Sequence, residues 1–311
     1  LGLTTVGAST IFGAISGSSP ATVVAIGKLL HNPLQKAGYG ARFSTGVLTS
    51  SGAIAIVIPP SIAMILYGAA AEQNVTLLFI AGVIPGLLIA VLMAAYIYVY
   101  AVRRGIREGG TFDRGAFLAA TRDGAWALGM PGVILGGIYA GIFAPTEAAG
   151  VACVYAIVVT KFICREISWH DLWEVAFSSM YLTAQVLIIV AAAGVFSWLL
   201  TVSGIPQSLV QSIDAMRLEP WMVLLAVNVL LLVVGCLLDP NSALLVLTPL
   251  LLPIMSAIGV DPIHFGIIMT VNLSIGMFTP PFGLNIFVAQ AVFKTPLKEI
   301  YAGVVPFILI N

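Results

Sequence analysis

Leu238-Asp239-Pro240-Asn241-Ser242-Ala243 separates two strongly apolar runs, 221–238 and 243–256. Further on, Asn272-Leu273-Ser274-Ile275-Gly276-Met277-Phe278-Thr279-Pro280-Pro281-Phe282-Gly283-Leu284-Asn285 breaks a third. In a bilayer every backbone N–H and C=O must find a partner, so broken helices persist only where they line a cavity or a bound ion. Two such breaks close together in sequence predict a binding site within 239–285.

Composition sets the class. The chain is 60% hydrophobic and 8% charged, with a mean hydropathy of +1.08, against the usual quarter of charged residues. Several apolar runs approach or exceed the ~18–20 residues that cross a bilayer. The expected class is an all-α polytopic membrane protein with the lipid bilayer as its solvent. Its charges are confined to loops, and no nucleic-acid partner is expected. Cys153, Cys164 and Cys236 have no metal or redox spacing and read as small packing residues. The sequence starts without Met, and the last apolar run, Ile300–Ile310, is too short to span; both ends read as cut from a longer chain.

Outward from the opening stretch, the chain reads as two related parts. Residues 1–30 are apolar but interrupted at Ser16-Gly17-Ser18-Ser19-Pro20-Ala21, which predicts a re-entrant helical hairpin with a polar tip. A basic segment with Lys28, Lys36 and Arg42 follows. The next helix, 43–72, is broken at Ser50-Ser51-Gly52 and at Pro59-Pro60-Ser61. Connecting and scaffold helices fill 73–202, with spans expected at 77–101, 125–143, 146–163 and 174–202. A second repeat, 203–293, contains a short amphipathic helix at 206–218, a hairpin at 221–256 and a broken helix at 263–293. Residues 294–311 begin a last helix. Pro59-Pro60 and Pro280-Pro281 lie 221 residues apart, and Ser19-Pro20-Ala21 and Asn241-Ser242-Ala243 lie 222 apart. Five crossings separate the hairpins on this reading, so the second repeat is inverted, the plan of secondary transporters with a midplane site. With the first hairpin opening to the cytoplasm, twelve of the thirteen basic residues fall on that side, and Arg217 alone falls outside. The segment 102–123, with Arg107, is cytoplasmic on this plan.

The breaks also suggest chemistry. Ser18, Ser19, Asn241, Ser242 and Thr279 carry neutral oxygens. The breaks free carbonyls near Ser51, Gly52 and Gly276, and Pro59, Pro60, Pro280 and Pro281 free others one turn earlier. Such oxygens suit Na⁺, whereas a transition metal would want His or Cys. Two cation sites are expected, one from Ser18, Ser19 and carbonyls near Ser51-Gly52, the other from Asn241, Thr279 and carbonyls near Gly276. The helix starts after Pro60 and Pro281 favour a carboxylate, with Ser61, Ser242, Pro281 and Asn285 as its expected contacts. These Ser and Thr residues also have a purely structural reading, as hydroxyls bonded back to their own helices. Asp239 reads as a functional intramembrane acid or as a buried helix cap. Glu147, in Ala144-Pro145-Thr146-Glu147-Ala148, has a transport reading and a capping reading, with Thr146 as the cap. His31, His170 and His264 read as interfacial.

Gly13-Ala14-Ile15-Ser16-Gly17-Ser18-Ser19-Pro20-Ala21-Thr22, Ile58-Pro59-Pro60-Ser61, Ala144-Pro145-Thr146-Glu147-Ala148 and Phe278-Thr279-Pro280-Pro281-Phe282-Gly283 resemble the large membrane subunit of tripartite ATP-independent periplasmic (TRAP) transporters. The resemblance implies a Na⁺-driven importer of organic acids, among them C4-dicarboxylates and sialic acids, in the bacterial inner membrane. It implies a small four-helix membrane subunit and a periplasmic substrate-binding protein as partners. It also implies an elevator mechanism, with hairpins and broken helices moving as one body. Two other readings stay open at this point. A stand-alone dicarboxylate or citrate carrier would need no binding protein. An intramembrane aspartyl enzyme would use Asp239, but a second intramembrane Asp is lacking. On that ground an enzyme is not expected, and the absence of a nucleotide-binding loop argues against an ATP-driven pump.

Overall fold

The computed structural model describes residues 1–106, 113–216 and 218–311, the side chain of Asp214 excepted; Arg107 and Arg217 lie outside the described residues. Among the described residues the secondary structure is helical throughout. The described residues fall into two units, one of 1–106 with 204–216 and 218–311, the other of 113–203.

In the first unit, α1 (Gly2–Ser16) and α2 (Ser19–Lys36) pack on each other across a break at Gly17-Ser18. Gly17 ends α1 in the left-handed region, φ 59°, donating its N–H to the Gly13 carbonyl. A side chain there would be strained and would press on the Pro60 carbonyl, 3.1 Å away. α3 (Ala41–Ser51), α4 (Ile54–Val57) and α5 (Ile62–Ala70) form the first broken helix, bent by 43°. α6 (Val75–Arg103) is unbroken and capped by Asn74, whose Oδ1 accepts from Thr76 N and Leu77 N.

The second part of this unit begins at α11 (Ile205–Ala215). α11 packs on α13 (Pro240–Ala257), which follows α12 (Pro220–Leu237) across the break at Leu238-Asp239. α14 (Pro262–Gly276) and α15 (Leu284–Phe293) are interrupted by Met277–Gly283, and α16 (Leu297–Ile310) follows. Both proline pairs, Pro59-Pro60 and Pro280-Pro281, have cis peptide bonds.

The two parts interlock. α2 packs on α15 and α13 packs on α5; α16 packs on α3 and α6 packs on α14. Lipid tails are as apolar as leucine, so helices in a bilayer are held by close packing and interhelical hydrogen bonds rather than by the hydrophobic effect. Both devices are present. A methyl added at Gly13 would lie 2.8 Å from the Ala55 Cα, and one at Gly235 would lie 3.2 Å from the Gly276 Cα. Asn272 Nδ2 donates to Asn228 Oδ1 at 2.7 Å between α14 and α12, and the Ser9 and Ser51 hydroxyls meet at 3.0 Å between α1 and α3. Around them lies an aromatic core in which Phe43 stacks on Tyr100 at 3.8 Å and Tyr96 meets Phe307 edge-on.

The second unit holds α7 (Arg114–Asp123), α8 (Ala125–Tyr139), α9 (Pro145–Ile157) with a π-helical continuation Val158–Ile163, and α10 (Trp169–Ser203). α8 packs on α9, where Tyr155 donates to the Trp126 carbonyl at 2.7 Å. Among the described residues, five helices are long and apolar enough to cross a bilayer, and six if the bent α3–α5 counts as one span. This is a multi-pass membrane protein.

Three expectations need correction. α2 does not stop at residue 30 but runs to Lys36, with Leu34 fully buried in its last turn; His31 is therefore a helical residue. Thr146 does not cap α9: the cap position is Ala144, whose N–H is taken by Glu147 Oε2 at 2.8 Å, and alanine has no side-chain acceptor for the return bond. Asp239 is exposed rather than buried.

Candidate functional site

Four half-helices start at the breaks: α2, α5, α13 and α15. A helix start leaves backbone N–H groups without intrahelical partners. At α5 the Ser61 hydroxyl accepts from Met64 N at 3.4 Å while donating to the Ile56 carbonyl. At α13 the Asp239 carboxylate accepts from Asn241 N at 3.1 Å and Ser242 N at 3.2 Å. The starts of α2 and α15 have no side-chain cap. They are instead joined to each other. Ser19 Oγ lies 2.7 Å from Asn285 Nδ2 and 3.0 Å from Asn285 Oδ1, and Nδ2 also donates to the Thr49 carbonyl at 3.0 Å. Ser19 is 1% exposed and Asn285 0%. Two uncapped, partly positive helix ends thus meet at a buried serine–amide pair, which is the arrangement that attracts an anion.

Both hairpin tips border one cavity of about 120 Å³, lined among others by Ser18, Ser19, Ile62, Asp239, Asn241 and Met277. Asp239 is its single ionisable lining residue. Gly52 lies against α2, with a would-be Cβ 3.1 Å from the Ser19 carbonyl, so Ser19, Gly52 and Asn285 share one neighbourhood. Ser18 caps with its carbonyl, which accepts from the Thr22 hydroxyl at 2.9 Å. Ser51 is buried and bonded to Ser9.

Around the second break, Thr279 Oγ1 donates to the Ile275 carbonyl at 2.7 Å, and Gly276 is buried against Gly235. Ser242 is half-buried, and Pro281 is exposed, its carbonyl accepting from Tyr301 at 2.9 Å. Glu147 stands in the other unit, in the first turn of α9. Hydroxyls that donate their proton to a carbonyl keep lone pairs free, and so can still serve a cation.

Sequence reasoning missed Asn228, Ser9 and Thr49. An amide within the apolar run 221–238 was the available signal for Asn228, since a polar group at that depth must find a partner. Thr49 contributes only its backbone carbonyl, which leaves no mark in the sequence.

The cap at Asp239 gives a direct prediction. Asp239→Asn keeps an oxygen for the two N–H groups and is expected to leave folding unchanged. Asp239→Ala is expected to cost about 1 kcal/mol, the usual cap value. Thermal melts of the purified variants check both, and uptake by the Asn variant reports whether the charge has a further role.

A family description, "Tripartite ATP-independent periplasmic transporter, DctM component", matches residues 1–311. The chain is 41% identical over 310 residues to the C4-dicarboxylate TRAP transporter large permease protein DctM of Pseudomonas aeruginosa, covering 100% of this chain and 73% of that protein. It is 41% identical over 310 residues to the ectoine/5-hydroxyectoine large permease UehC of Ruegeria pomeroyi, covering 99% and 72%. To the 2,3-diketo-L-gulonate large permease YiaN of Escherichia coli it is 33% identical over 310 residues, covering 100% and 73%.

Proposed function

This chain belongs to the DctM component family of TRAP transporters, as a large permease subunit, and on that premise we propose that it is a Na⁺-coupled importer of a small organic acid. It works in the bacterial inner membrane with a small membrane subunit and a periplasmic binding protein that delivers the substrate. It is a transport protein, not an enzyme. The relatives carry C4-dicarboxylate, ectoine and diketogulonate names, so the substrate class proposed here is a small carboxylate.

The observation that carries the reading is the joining of two uncapped helix starts at Ser19 and Asn285. No Lys or Arg lines the adjoining cavity, so a carboxylate there relies on helix ends, on Ser61, Ser242 and Asn285, and on bound cations. One Na⁺ is held by Ser18, Ser19 and carbonyls near Ser51-Gly52. A second is held by Asn241, Thr279 and carbonyls near Gly276. Coupling arises because the carboxylate finds its compensating charge only with Na⁺ present. The crossed packing of α2 on α15 and α13 on α5 supports an inverted repeat whose hairpins and broken helices move as one elevator body.

Calorimetric titration of succinate, with the binding protein and the subunit complex, tests the coupling. Substrate affinity is expected to rise about 5–150-fold with Na⁺, equivalent to ~1–3 kcal/mol. Equal affinity in both conditions would overturn it. Asn241→Ala and Thr279→Ala are expected to weaken the Na⁺ dependence of proteoliposome uptake more than they reduce expression. Uptake that needs no binding protein would point instead to a stand-alone carrier.

A further inference from the structure

Beyond Ser19 and Asn285, α2 and α15 stay side by side and run in the same direction. A side chain at Gly27 would collide with the Phe293 ring, and His31 stacks on that ring at 4.4 Å with its plane tilted by 10°. Each helix carries a lysine nine residues past its site residue, Lys28 after Ser19 and Lys294 after Asn285. At 1.5 Å per residue that is about 13 Å along the shared seam. Lys294 ends α15 in the left-handed region, φ 53°, which non-glycine residues adopt uncommonly.

Between the two lysines lies a pocket of about 430 Å³, bordered by Lys28, His31, Asn32, Gln35, Lys294 and Thr295. Its polar groups include two ammonium ions, two amides and a hydroxyl, and no carboxylate lines it. It is anchored to a third helix: His31 Nε2 lies 3.3 Å from Thr45 Oγ1, which lies 3.5 Å from Thr295 Oγ1. The volume is that of a small-ligand site. This is the opposite chemistry to the other end of the seam, where the adjoining cavity is lined by neutral groups and one carboxylate, Asp239, with no ammonium or guanidinium.

We propose that this pocket is a second carboxylate-binding station, which receives the transported acid as it leaves the Ser19–Asn285 end. The inference rests on the reading of the chain as a carrier of small acids. An anion leaving a site balanced by helix ends and Na⁺ loses that balance once Na⁺ departs. Two exposed ammonium ions bordering the same pocket supply it again, weakly and in a screened, open setting, so the acid is passed on rather than trapped. Lysine suits this role because it is a hydrated point charge, where a bidentate arginine fork would hold a carboxylate tightly.

Lysine footprinting of the complex tests it directly. The complex is placed in nanodiscs of neutral lipid, and acetylation rates are read by mass spectrometry with succinate or with succinamide, its uncharged analogue. Succinate is expected to slow Lys28 and Lys294 about 3–10-fold, to leave Lys36 and Lys298, equally exposed but outside the pocket, unchanged, and to act without Na⁺. Succinamide is expected to do nothing. Equal slowing of all four lysines, equal protection by inorganic phosphate, or protection lost on adding phosphatidylglycerol would overturn the proposal; the last two would assign the pocket to phosphate groups. In a second arm, Lys28→Gln/Lys294→Gln is expected to raise half-saturation for internal succinate in exchange assays about tenfold, with Na⁺-dependent binding from outside kept within twofold. Unchanged internal half-saturation would sink the station while leaving the transport reading intact. Absence of Na⁺-dependent binding in the unmodified complex would count against the transport reading instead.

Discussion

Asn285→Ala is expected to reduce uptake at least about a hundredfold and to lower stability by about 3 kcal/mol. Asn285 is fully buried and ties three helices through Ser19 on α2 and the Thr49 carbonyl on α3. Truncation leaves both partners unpaired, at about 1–3 kcal/mol for each buried polar group. It also removes the side-chain bond that joins the starts of α2 and α15. The transport loss follows because both uncapped ends are aimed by this one pair. A double-mutant cycle with Ser19→Ala separates fold from function. Thermal melts are expected to give coupling of about 1 kcal/mol, while uptake in the double variant falls no further than in Asn285→Ala. Additive losses in uptake would mean that the two residues act in separate sites.

The second large effect is predicted from packing alone, at a glycine beside the proposed second cation site. Gly276→Leu is expected to destabilise the fold by about 3 kcal/mol or more, at the upper end of overpacking costs. The Cβ would land on the backbone of Gly235, and backbone cannot move aside as a side-chain end can. Displacing α14 from α12 would also stretch the Asn272–Asn228 hydrogen bond. Gly132→Leu is the control, since a Cβ there meets nothing within 4 Å; it is expected to change stability by under about 1 kcal/mol, with a gain from helix propensity. Melting temperatures and the monodisperse fraction after detergent extraction check both. Equal behaviour of the two leucine variants would show that α12 and α14 are not held by close backbone contact.

The positions of the breaks were legible because each is written in residues that cannot continue a helix or that prefer its ends: Gly17 and Ser18, Asp239 and Pro240, the proline pairs at 59–60 and 280–281. The length of α2 was not legible, since Pro33 reads as a stop while the burial of Leu34 overrides it. The pairing of Ser19 with Asn285 was not legible either. Both residues stood out separately, but a bond between distant positions leaves no period or spacing in the chain. Sequence reasoning therefore put one with the cation and the other with the substrate, whereas the fold joins them. The exposure of Asp239 has the same cause: hydropathy reports the depth of a segment, not which way its turn faces.

The crossed packing of α2 on α15 also bears on how the protein is made. Ser19 and Asn285 are 266 residues apart, so when the first hairpin enters the membrane its partner has not been synthesised. At ~5–20 residues per second the ribosome needs roughly 10–50 s to supply it. Through that interval the polar groups at the start of α2 face lipid, water or an insertion chaperone, and the hairpin cannot reach its final depth. Assembly of this part of the protein is thus bound to wait for α15, and a chain stalled before α15 would be left with an unfinished first half open to proteolysis.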